Sequence, residues 1–268
     1  MEEKNRRKIE QLETAKEKEI LNAKIEFFTN VAHEIKTPLT LIKGPMEKLL
    51  KKMADIPGAG DSLKVMDRNT TRLIDLTNQL LDFRQTEIKG FSLSFVRANI
   101  SLLLEENYTG FRTLAEQKDL SFDLRLPSSD PLFAFVDVDA FNKILANLLG
   151  NAIKYAATKA YVTLSPSGDG DAFFTIEVYN DGFLIPQEMR EKIFEPFFRL
   201  KETEKKRGTG IGLALARSLT QLHKGTLRLM EPRNGMNVFS LSMPVHQDRE
   251  FDIAIRHEHL TQPNSITP

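Results

Sequence analysis

The stretch Phe28-Thr-Asn-Val-Ala-His-Glu-Ile-Lys-Thr-Pro-Leu-Thr40 carries the spacing of apolar side chains that decides the first half of the fold. Apolar residues recur every three or four positions from Phe28 to Met53, which is typical of a helix with one apolar stripe. Residues 55–61 (Asp-Ile-Pro-Gly-Ala-Gly-Asp) predict a break, and a second stripe runs from Leu63 to Leu80. Two such helices with a short connection predict a helical hairpin.

A single hairpin can bury only part of these two stripes. Each helix packs against the other, and the outer side of both stripes stays in water unless a second copy covers it. A four-helix bundle formed by two chains buries both sides. We therefore predict a homodimer, with residues 21–88 as the dimerisation hairpin.

The first twenty residues alternate acidic and basic side chains, as in Glu17-Lys18-Glu19. Opposite charges at helical spacing predict a charged helix, residues 1–20, that leads into the hairpin. The sequence contains neither the apolar core of a signal peptide nor an apolar run of about 18 residues. Its start is compatible with a natural N-terminus and equally with a cut after a membrane helix.

Beyond Gly90 the pattern changes to mixed strands and helices, so the chain as a whole is predicted to be α+β. Strands are predicted at 91–96, 121–126, 132–136, 160–165, 172–179, 225–230 and 237–243. Helices are predicted at 100–117, 138–156 and 210–222, the second of them capped by Asp137 or Asp139. These elements form a second domain at 91–247, and residues 248–268 are predicted to be a polar tail or linker.

Charge and composition exclude several classes of function. Lys plus Arg and Asp plus Glu both number 37, so no net field attracts the chain to nucleic acid, and we expect no direct contact with it. The absence of Cys excludes disulfides and thiolate metal sites. Any phosphate binding must come from local groups.

His33 is the first candidate for chemistry. It lies two residues after Val31 and two before Ile35, so its ring is expected beside the apolar stripe, near the bundle surface. A lone histidine on a helix is more often structural or simply exposed. Here, however, Glu34 can accept a hydrogen bond from Nδ1–H, which leaves Nε2 free to attack an electrophile.

A row of polar side chains is the second candidate. Asn147, Asn151, Lys154 and Tyr155 follow at i, i+4, i+7 and i+8, on one face of a predicted helix. Because asparagine is a mediocre helix former, its repeated use needs a reason. The two amides could be satisfied groups of the core. Neutral oxygens beside a lysine suit Mg²⁺ and phosphate better.

A glycine-rich segment, Gly208-Thr209-Gly210-Ile-Gly212-Leu213, precedes the last predicted helix. Such a turn exposes backbone N–H groups to anions, and the helix dipole adds to this effect. The same pattern also fits tight packing of a helix on a sheet. The basic residues upstream of it could equally belong to a solvated loop.

These motifs together resemble the sensor histidine kinases of two-component systems, over about residues 20–245. The similarity rests on four boxes in the order and spacing of that family. They are His33-Glu34-x-x-Thr37-Pro38-Leu39, Asn147 to Tyr155, Phe194-Glu-Pro-Phe-Phe-Arg199, and Gly208 to Gly212. The resemblance implies that the second domain is an α/β sandwich of the Bergerat type shared with gyrase and Hsp90-like ATPases.

The resemblance also implies roles for the residues of the hairpin. His33 would be the phosphoacceptor, and Glu34 would assist the transfer. Thr37 would position a water that hydrolyses the aspartyl phosphate of a partner, although it could simply bond to a helix carbonyl. The partner would be a response-regulator receiver domain, either separate or fused. The chain would be the cytoplasmic portion of an inner-membrane sensor, attached only through a segment outside it.

For the second domain, the resemblance implies ATP and Mg²⁺. Asn151 would bind Mg²⁺, Lys154 would meet phosphate, Asn147 would polarise the transfer, and Arg199 would reach the γ-phosphate. The remaining residues expected to contact the nucleotide are Tyr155, Asn180, Gly182, Gly208, Thr209, Gly210, Gly212 and Leu213.

One box departs from the family pattern Asp-x-Gly-x-Gly and reads Asn180-Asp-Gly182-Phe-Leu184. Asn180 stands where the family has the aspartate that accepts a hydrogen bond from the exocyclic amine of adenine. Its amide oxygen can still accept without charge assistance, at a loss of about 1 kcal/mol. Leu184 replaces a glycine and keeps the backbone further from the base. Both differences motivate an alternative function, a nucleotide-sensing scaffold or a phosphatase-biased relative. A gyrase-like or Hsp90-like ATPase is a third hypothesis, but it gives His33 no role.

Overall fold

The structure is a computed structural model, which describes residues 32, 35–49, 59–87, 92–127, 131–166, 172–203, 206 and 208–247. The predicted helix at 1–20, the predicted tail, His33 and Glu34 lie outside these residues. The chain divides into two compact units, Met1–Lys89 and Gly90–Pro268.

The first unit contains two described helices, α1 (residues 35–49) and α2 (Ala59–Glu87). Helix α1 includes Pro38, and Lys43 Nζ donates to Thr71 Oγ1 of α2 at 3.0 Å. The predicted break at 55–61 was wrong at its end, because α2 begins at Ala59 and includes Gly60 and Asp61. Glycine and aspartate are tolerated there since the first turn of a helix has free N–H groups.

Burial within this unit is incomplete. Among its described residues, the buried side chains are Ala32, Met46, Thr70, Thr77, Leu80 and Phe83. In contrast, Ile35, Ile42 and Leu49 of α1, spaced seven residues apart, are all exposed, and Ile42 is 53% exposed. Met66 and Leu73 of α2 repeat this spacing, and Met66 is 55% exposed. The predicted stripes therefore keep an uncovered side in the single chain.

The second unit is built on a five-stranded sheet in the order β2-β4-β5-β7-β6. Strand β2 (Ser121–Arg125) pairs with β4 (Lys159–Pro166) in parallel, and every other pair is antiparallel. The other members are β5 (Phe173–Asn180), β6 (Thr226–Leu229) and β7 (Asn237–Pro244). A separate two-stranded ladder joins β1 (Val96–Asn99) to β3 (Phe133–Val136). The helices are α3 (Ile100–Glu116), α4 (Val138–Tyr155) and α5 (Gly212–Leu222).

The predicted strand at 91–96 was wrong in position, because the ladder with β3 begins only at Val96. Ser94 N instead donates to Asp137 Oδ2 at 2.8 Å, and Phe95 packs edge-on against the ring of His223. Residues just before Val96 are thus held by contacts with Asp137 and His223. Alternating side chains held in this way give the same period-two pattern of apolar residues as a strand.

The core of this unit lies between the sheet and the helices. Helix α4 packs on α3, α5 and β5, and it starts where Asp137 Oδ1 accepts from Ala140 N at 3.0 Å. The apolar side of α4 is fully or almost fully buried: Phe141, Ile144, Leu145, Leu148, Leu149 and Ile153. Phe141 meets Phe174 of β5 edge-to-face, with ring centroids 6.2 Å apart. The opposite side of α4 is thereby turned away from the core.

In the part of the chain that the structure describes, no helix combines the length and apolar character that a bilayer span requires.

Candidate active site

Helix α4 carries a polar row on the side away from its core face. Asn147, Asn151, Lys154 and Tyr155 are all half-buried on this helix. Asn147 Nδ2 donates to Lys143 O at 2.8 Å, and Lys154 Nζ donates to the Tyr155 hydroxyl at 2.8 Å. The alternative that the two asparagines are satisfied core amides does not fit their partial exposure. The row is available to a ligand.

The glycine-rich segment lies directly against this row. A Cβ atom at Gly208 would collide with Lys154 Nζ, and one at Gly212 would collide with Asn147 Oδ1. Two motifs about 60 residues apart in sequence therefore meet in space. Without a Cβ at either position the backbone lies close to these two side chains, which is the arrangement needed for N–H groups to share an anion with a lysine.

Gly210 fixes the shape of the loop that precedes α5, residues 195–211, here called the lid loop. Its φ is +77°, and a Cβ there would lie 2.7 Å from Phe197 C and 2.8 Å from Phe198 O. Phe197 N also donates to Gly210 O at 3.0 Å. The predicted helix at 210–222 therefore starts two residues later, at Gly212, since positive φ is incompatible with a right-handed helix.

The lid loop also contacts the C-terminal end of α4. Lys206 Nζ donates to Lys154 O at 2.9 Å and to Tyr155 O at 3.4 Å, where the helix leaves carbonyls without helical partners. Arg199 Nη2 donates to Lys206 O at 2.6 Å within the same loop. Three cationic side chains, Lys154, Arg199 and Lys206, are thereby linked through this loop and the end of α4. Lys206 is exposed, but it also bonds to the end of α4 and is therefore not only a solvated loop residue.

The segment Asn180 to Leu184, which differs from the family pattern, starts at the end of β5 and passes beside Tyr155. A Cβ at Gly182 would collide with Tyr155 O, so this glycine is required for the approach. Asn180 is only 3% exposed, and its Oδ1 accepts from Gly182 N at 3.2 Å and from Asn237 Nδ2 at 3.3 Å. The amide oxygen expected to face a base is therefore already engaged by two donors.

Two residues of this region were missed by sequence reasoning. Asp181 accepts hydrogen bonds from Ala157 N at 2.8 Å and from Thr158 N and its hydroxyl. Burial raises its pKa, but these bonds, with one from the Lys159 backbone, outweigh burial and lower the pKa to about 2. An aspartate before glycine at a strand end is the signal for such a turn.

Asn237 is the second residue missed. It is 2% exposed at the start of β7, opposite Asn180 in the strand register. An amide at the start of a strand rich in apolar residues was the available signal, because a polar group buried there needs partners. Those partners lie 52 to 57 positions earlier in the sequence.

His223 is a buried histidine that could be mistaken for a catalytic group. Its Nδ1 lies 2.7 Å from Leu219 O, and Asp137 N donates to its Nε2 at 3.1 Å. These two backbone partners fix the neutral Nδ1–H tautomer. Burial lowers its pKa, against the opposing effects of Leu219 and Asp137. His223 connects α5 to the start of α4 and has a structural role.

The remaining predicted residues are placed as follows. Thr37 is exposed on α1, and His33 and Glu34 lie outside the described residues. Thr209 is half-buried, and its Oγ1 accepts from Ile211 N at 3.3 Å. Leu213 is half-buried in the first turn of α5. The structure thus brings Gly208, Gly212 and Gly182 close to Lys154, Asn147 and Tyr155 of α4.

Comparison with known proteins identifies both units. The profile of the family described as "Histidine kinase-, DNA gyrase B-, and HSP90-like ATPase" matches residues 136–247. The profile described as "His Kinase A (phospho-acceptor) domain" matches residues 23–87. Histidine kinase P4 of Formosa agariphila is 31% identical over 242 residues, covering 88% of this chain and 18% of that protein.

Two solved structures are similar as well. Histidine kinase ThkA in complex with the response regulator protein TrrA has a TM-score of 0.57 and 28% identity, covering 82% of this chain and 61% of that one. Full-length ShkA in complex with AMPPNP has a TM-score of 0.70 at 24% identity, covering 82% of this chain and 45% of that one, and this likeness concerns the fold.

A phospho-acceptor hairpin followed by a Bergerat-type ATPase domain defines the class, which is that of two-component signalling enzymes. The chain belongs to the histidine kinases and forms the catalytic core of a sensor histidine kinase. It spans about a fifth of the length of the curated relatives it matches.

Proposed function

We propose that this chain transfers the γ-phosphoryl group of ATP to its own His33 and then passes it to an aspartate of a response-regulator receiver domain. The observation that carries this proposal is the packing of Gly208 and Gly212 against Lys154 and Asn147. It combines backbone N–H donors with a lysine and an amide at one place, as a triphosphate requires.

In the proposed transfer, His33 Nε2 attacks the γ-phosphorus. The N–P bond forms while the bond to the bridging oxygen breaks, and ADP leaves with the electron pair. Glu34 holds the Nδ1 proton and so stabilises the charge that develops on the imidazole. Lys154, Arg199 and the N–H groups of residues 208–212 neutralise charge on the phosphates, which is most of what a protein contributes to phosphoryl transfer.

The residues present fit a magnesium ion. Mg²⁺ takes few protein ligands and retains waters and phosphate oxygens. Asn151 offers a neutral oxygen from the exposed side of α4, one turn from both Asn147 and Lys154. An ion held at Asn151 would supply positive charge close to the phosphates. Asn151 would orient it through the rigid helix, whose other side is locked in the core.

We propose that the active form is a homodimer. The support is the exposed apolar row on α1 and α2, defined by Ile35, Ile42, Leu49, Met66 and Leu73. Heptad spacing of exposed side chains on neighbouring helices is what a four-helix bundle of two hairpins covers. The receiver partner is supported by the similarity to ThkA, whose solved structure includes a response regulator.

We also propose that the chain acts at the cytoplasmic side of a membrane, attached through a segment outside it. The support is its similarity to proteins named as sensors, of which it spans only a small part.

The transfer is tested with γ-labelled ATP and Mg²⁺. His33→Ala is expected to lose all acid-labile, base-stable label, with an unchanged circular dichroism spectrum. His246→Ala is the matched control, and it should be labelled as the parent chain is. Label that persists in His33→Ala would contradict the assignment.

Asn151→Ala should also lose the label although His33 is intact. Mixing the His33→Ala and Asn151→Ala chains then tests the direction of transfer, since label returns only if one protomer phosphorylates the other. Absence of label in the mixture indicates transfer within one protomer.

A second function, a phosphatase-biased or nucleotide-sensing relative, is favoured by one observation, the engaged amide oxygen of Asn180. Weakened nucleotide binding would reduce the kinase reaction and leave the hairpin free to act on a phosphorylated receiver. Calorimetric titration with ADP separates the two functions: millimolar affinity favours the second. In that case Thr37→Ala should abolish dephosphorylation of a phosphorylated receiver domain.

A further inference from the structure

The further inference concerns the pair formed by Asn180 and Asn237 at the ends of β5 and β7. Both side chains are nearly inaccessible, at 3% and 2% exposure, and they oppose each other in the strand register. A buried amide can be oriented in two ways that differ by exchange of oxygen and nitrogen. Its partners decide which orientation is adopted, so the polarity of this pair can be derived from its neighbours.

Asn237 is oriented by two backbone groups of fixed polarity. Ile185 N donates to its Oδ1 at 3.0 Å, and its Nδ2 donates to Phe183 O at 3.0 Å. The reverse orientation would place the amide nitrogen against an N–H and the oxygen against a carbonyl. Two buried repulsive contacts would replace two hydrogen bonds, so only one orientation is stable.

Asn237 in turn orients Asn180. Its Nδ2 lies 3.3 Å from Asn180 Oδ1, and Gly182 N donates to the same oxygen at 3.2 Å. Both neighbours are donors, so the atom of Asn180 that faces them must be the oxygen. Among the described residues, no protein acceptor is bonded to Asn180 Nδ2. This side chain therefore presents its N–H₂ group, a donor, to whatever occupies the site.

We propose that the Asn180–Asn237 pair makes the base pocket accept a purine with an acceptor at position 6, such as hypoxanthine or guanine, at least as well as adenine. The proposal rests on the proposed function, in which the purine lies at Asn180. The 6-amino group of adenine is a donor and would face another donor. An oxygen at position 6 would instead accept a bond from Nδ2.

A carboxylate at position 180 would behave differently. One of its oxygens could accept from Gly182 N and Asn237 Nδ2, and the other would face the base as an acceptor. Asn180→Asp keeps the shape of the side chain, replaces its donor with an acceptor and adds one negative charge. Asn237 acts through Asn180 and is a positioning residue for the base.

The test is a calorimetric titration of the full chain with Mg²⁺ and three diphosphates, which cannot donate a γ-phosphoryl group. ADP carries a donor at position 6, IDP carries an acceptor, and purine riboside diphosphate carries neither. In the parent chain, IDP and purine riboside diphosphate are expected to bind with dissociation constants no more than about threefold higher than that of ADP. In Asn180→Asp, ADP should bind about tenfold more tightly than either, the equivalent of one hydrogen bond to a charged acceptor.

A second variant tests the positioning role. In Asn237→Asp, a carboxylate oxygen faces Asn180, which should turn its amide and present its oxygen to the base. The ratio of ADP to IDP affinity should then rise above that of the parent chain, which a merely structural role would not change. Asn99→Asp adds the same charge at the N-cap of α3, where aspartate also caps, and should leave the ratio unchanged. If Asn237→Asp does not fold, Asn180→Asp still decides the question.

The proposal is overturned if the parent chain prefers ADP to IDP by tenfold or more, or if Asn180→Asp leaves the ratio unchanged. In either case ADP still binds and the proposed function stands. If none of the three diphosphates binds to any variant, both the proposal and the proposed function fail.

Discussion

The two units of this chain bury their apolar side chains to different extents. In the α/β unit, Phe141, Leu145 and Phe174 are completely inaccessible. In the helical unit, Ile35, Ile42 and Leu73 remain exposed, and two of the buried positions of α2, Thr70 and Thr77, are threonines. The α/β unit closes a core within a single chain, whereas the described part of the helical unit leaves a row of apolar side chains exposed.

This difference indicates a division of labour. A nucleotide-binding domain must hold a rigid site, and a closed core between sheet and helices supplies that rigidity. In the proposed dimer, association completes the stability of the hairpin, so that stability depends on protein concentration.

The largest expected effect is a loss of stability of the α/β unit. Phe141→Ala removes a ring that packs against Phe174 in the core, and the free energy of unfolding of this unit should fall by about 3–5 kcal/mol. Urea unfolding followed by circular dichroism measures it. The dimer of the hairpin should persist, as seen by analytical ultracentrifugation.

Phe133→Ala is the matched control, because Phe133 is partly exposed on β3 and should cost much less. Equal losses for the two variants would contradict the view that the core of this unit lies between α4 and the sheet.

The next largest effect is expected on the dimer that the helical unit forms. Ile42→Glu places a charge in the exposed row of each protomer, and the dimer dissociation constant should rise about 100-fold, or about 2.7 kcal/mol. Sedimentation equilibrium measures this constant. The thermal unfolding of the α/β unit should not change.

Leu102→Glu provides the comparison, since Leu102 of α3 is exposed to a similar extent but lies in the other unit. A dimer that survives Ile42→Glu, or a parent chain that is monomeric, would refute the proposed bundle.

A smaller effect is expected when the lid loop is changed, because ADP affinity should respond while the stability of the core does not. Gly210→Ala introduces a Cβ at φ +77° against the backbone of Phe197 and Phe198, so the lid loop must shift. ADP affinity should fall about tenfold, while unfolding of the core changes by less than about 1 kcal/mol.

A control glycine separates the two causes of this effect. Gly235→Ala adds positive-φ strain with no atom near the new Cβ. It should weaken ADP binding less than Gly210→Ala does. If Gly235→Ala were equally damaging to ADP binding, strain of the lid loop would not be the cause.

The smallest effect concerns pH. The pKa of Asp181, about 2, is below its usual value of 3.8, so its stabilising contribution is present above 3.8 and is lost as the pH falls through about 2. Asp181→Asn should lower the free energy of unfolding at neutral pH by about 1 kcal/mol after solvent screening. It should also reduce the loss of stability between these two pH values.

Asp123→Asn, which changes an exposed carboxylate of β2, should leave both quantities nearly unchanged. Identical acid unfolding of Asp181→Asn and the parent chain would show that Asp181 does not contribute.

Much of the α/β fold could be predicted because its signals are local. The helix that became α4 was predicted from a capping aspartate and a run of apolar residues, and it spans Val138–Tyr155. The strands that became β4 and β5 were predicted to within one residue at most ends. The misplaced strand at 91–96 shows the limit, because anchored side chains such as Phe95 imitate the alternation of a strand.

For the site, the sequence by itself determined which residue types stand on the exposed side of α4 and where glycine is required. Helical periodicity and the absence of a side chain are properties of neighbouring residues, so Asn147, Lys154 and Gly208 could be recognised along the chain. Only the tertiary structure decided that Asp181 ties the turn after α4 to β5 and that Asn237 sets the polarity of Asn180. Those contacts join residues 23 to 57 positions apart, and strand register, which depends on the whole sheet, brings them together.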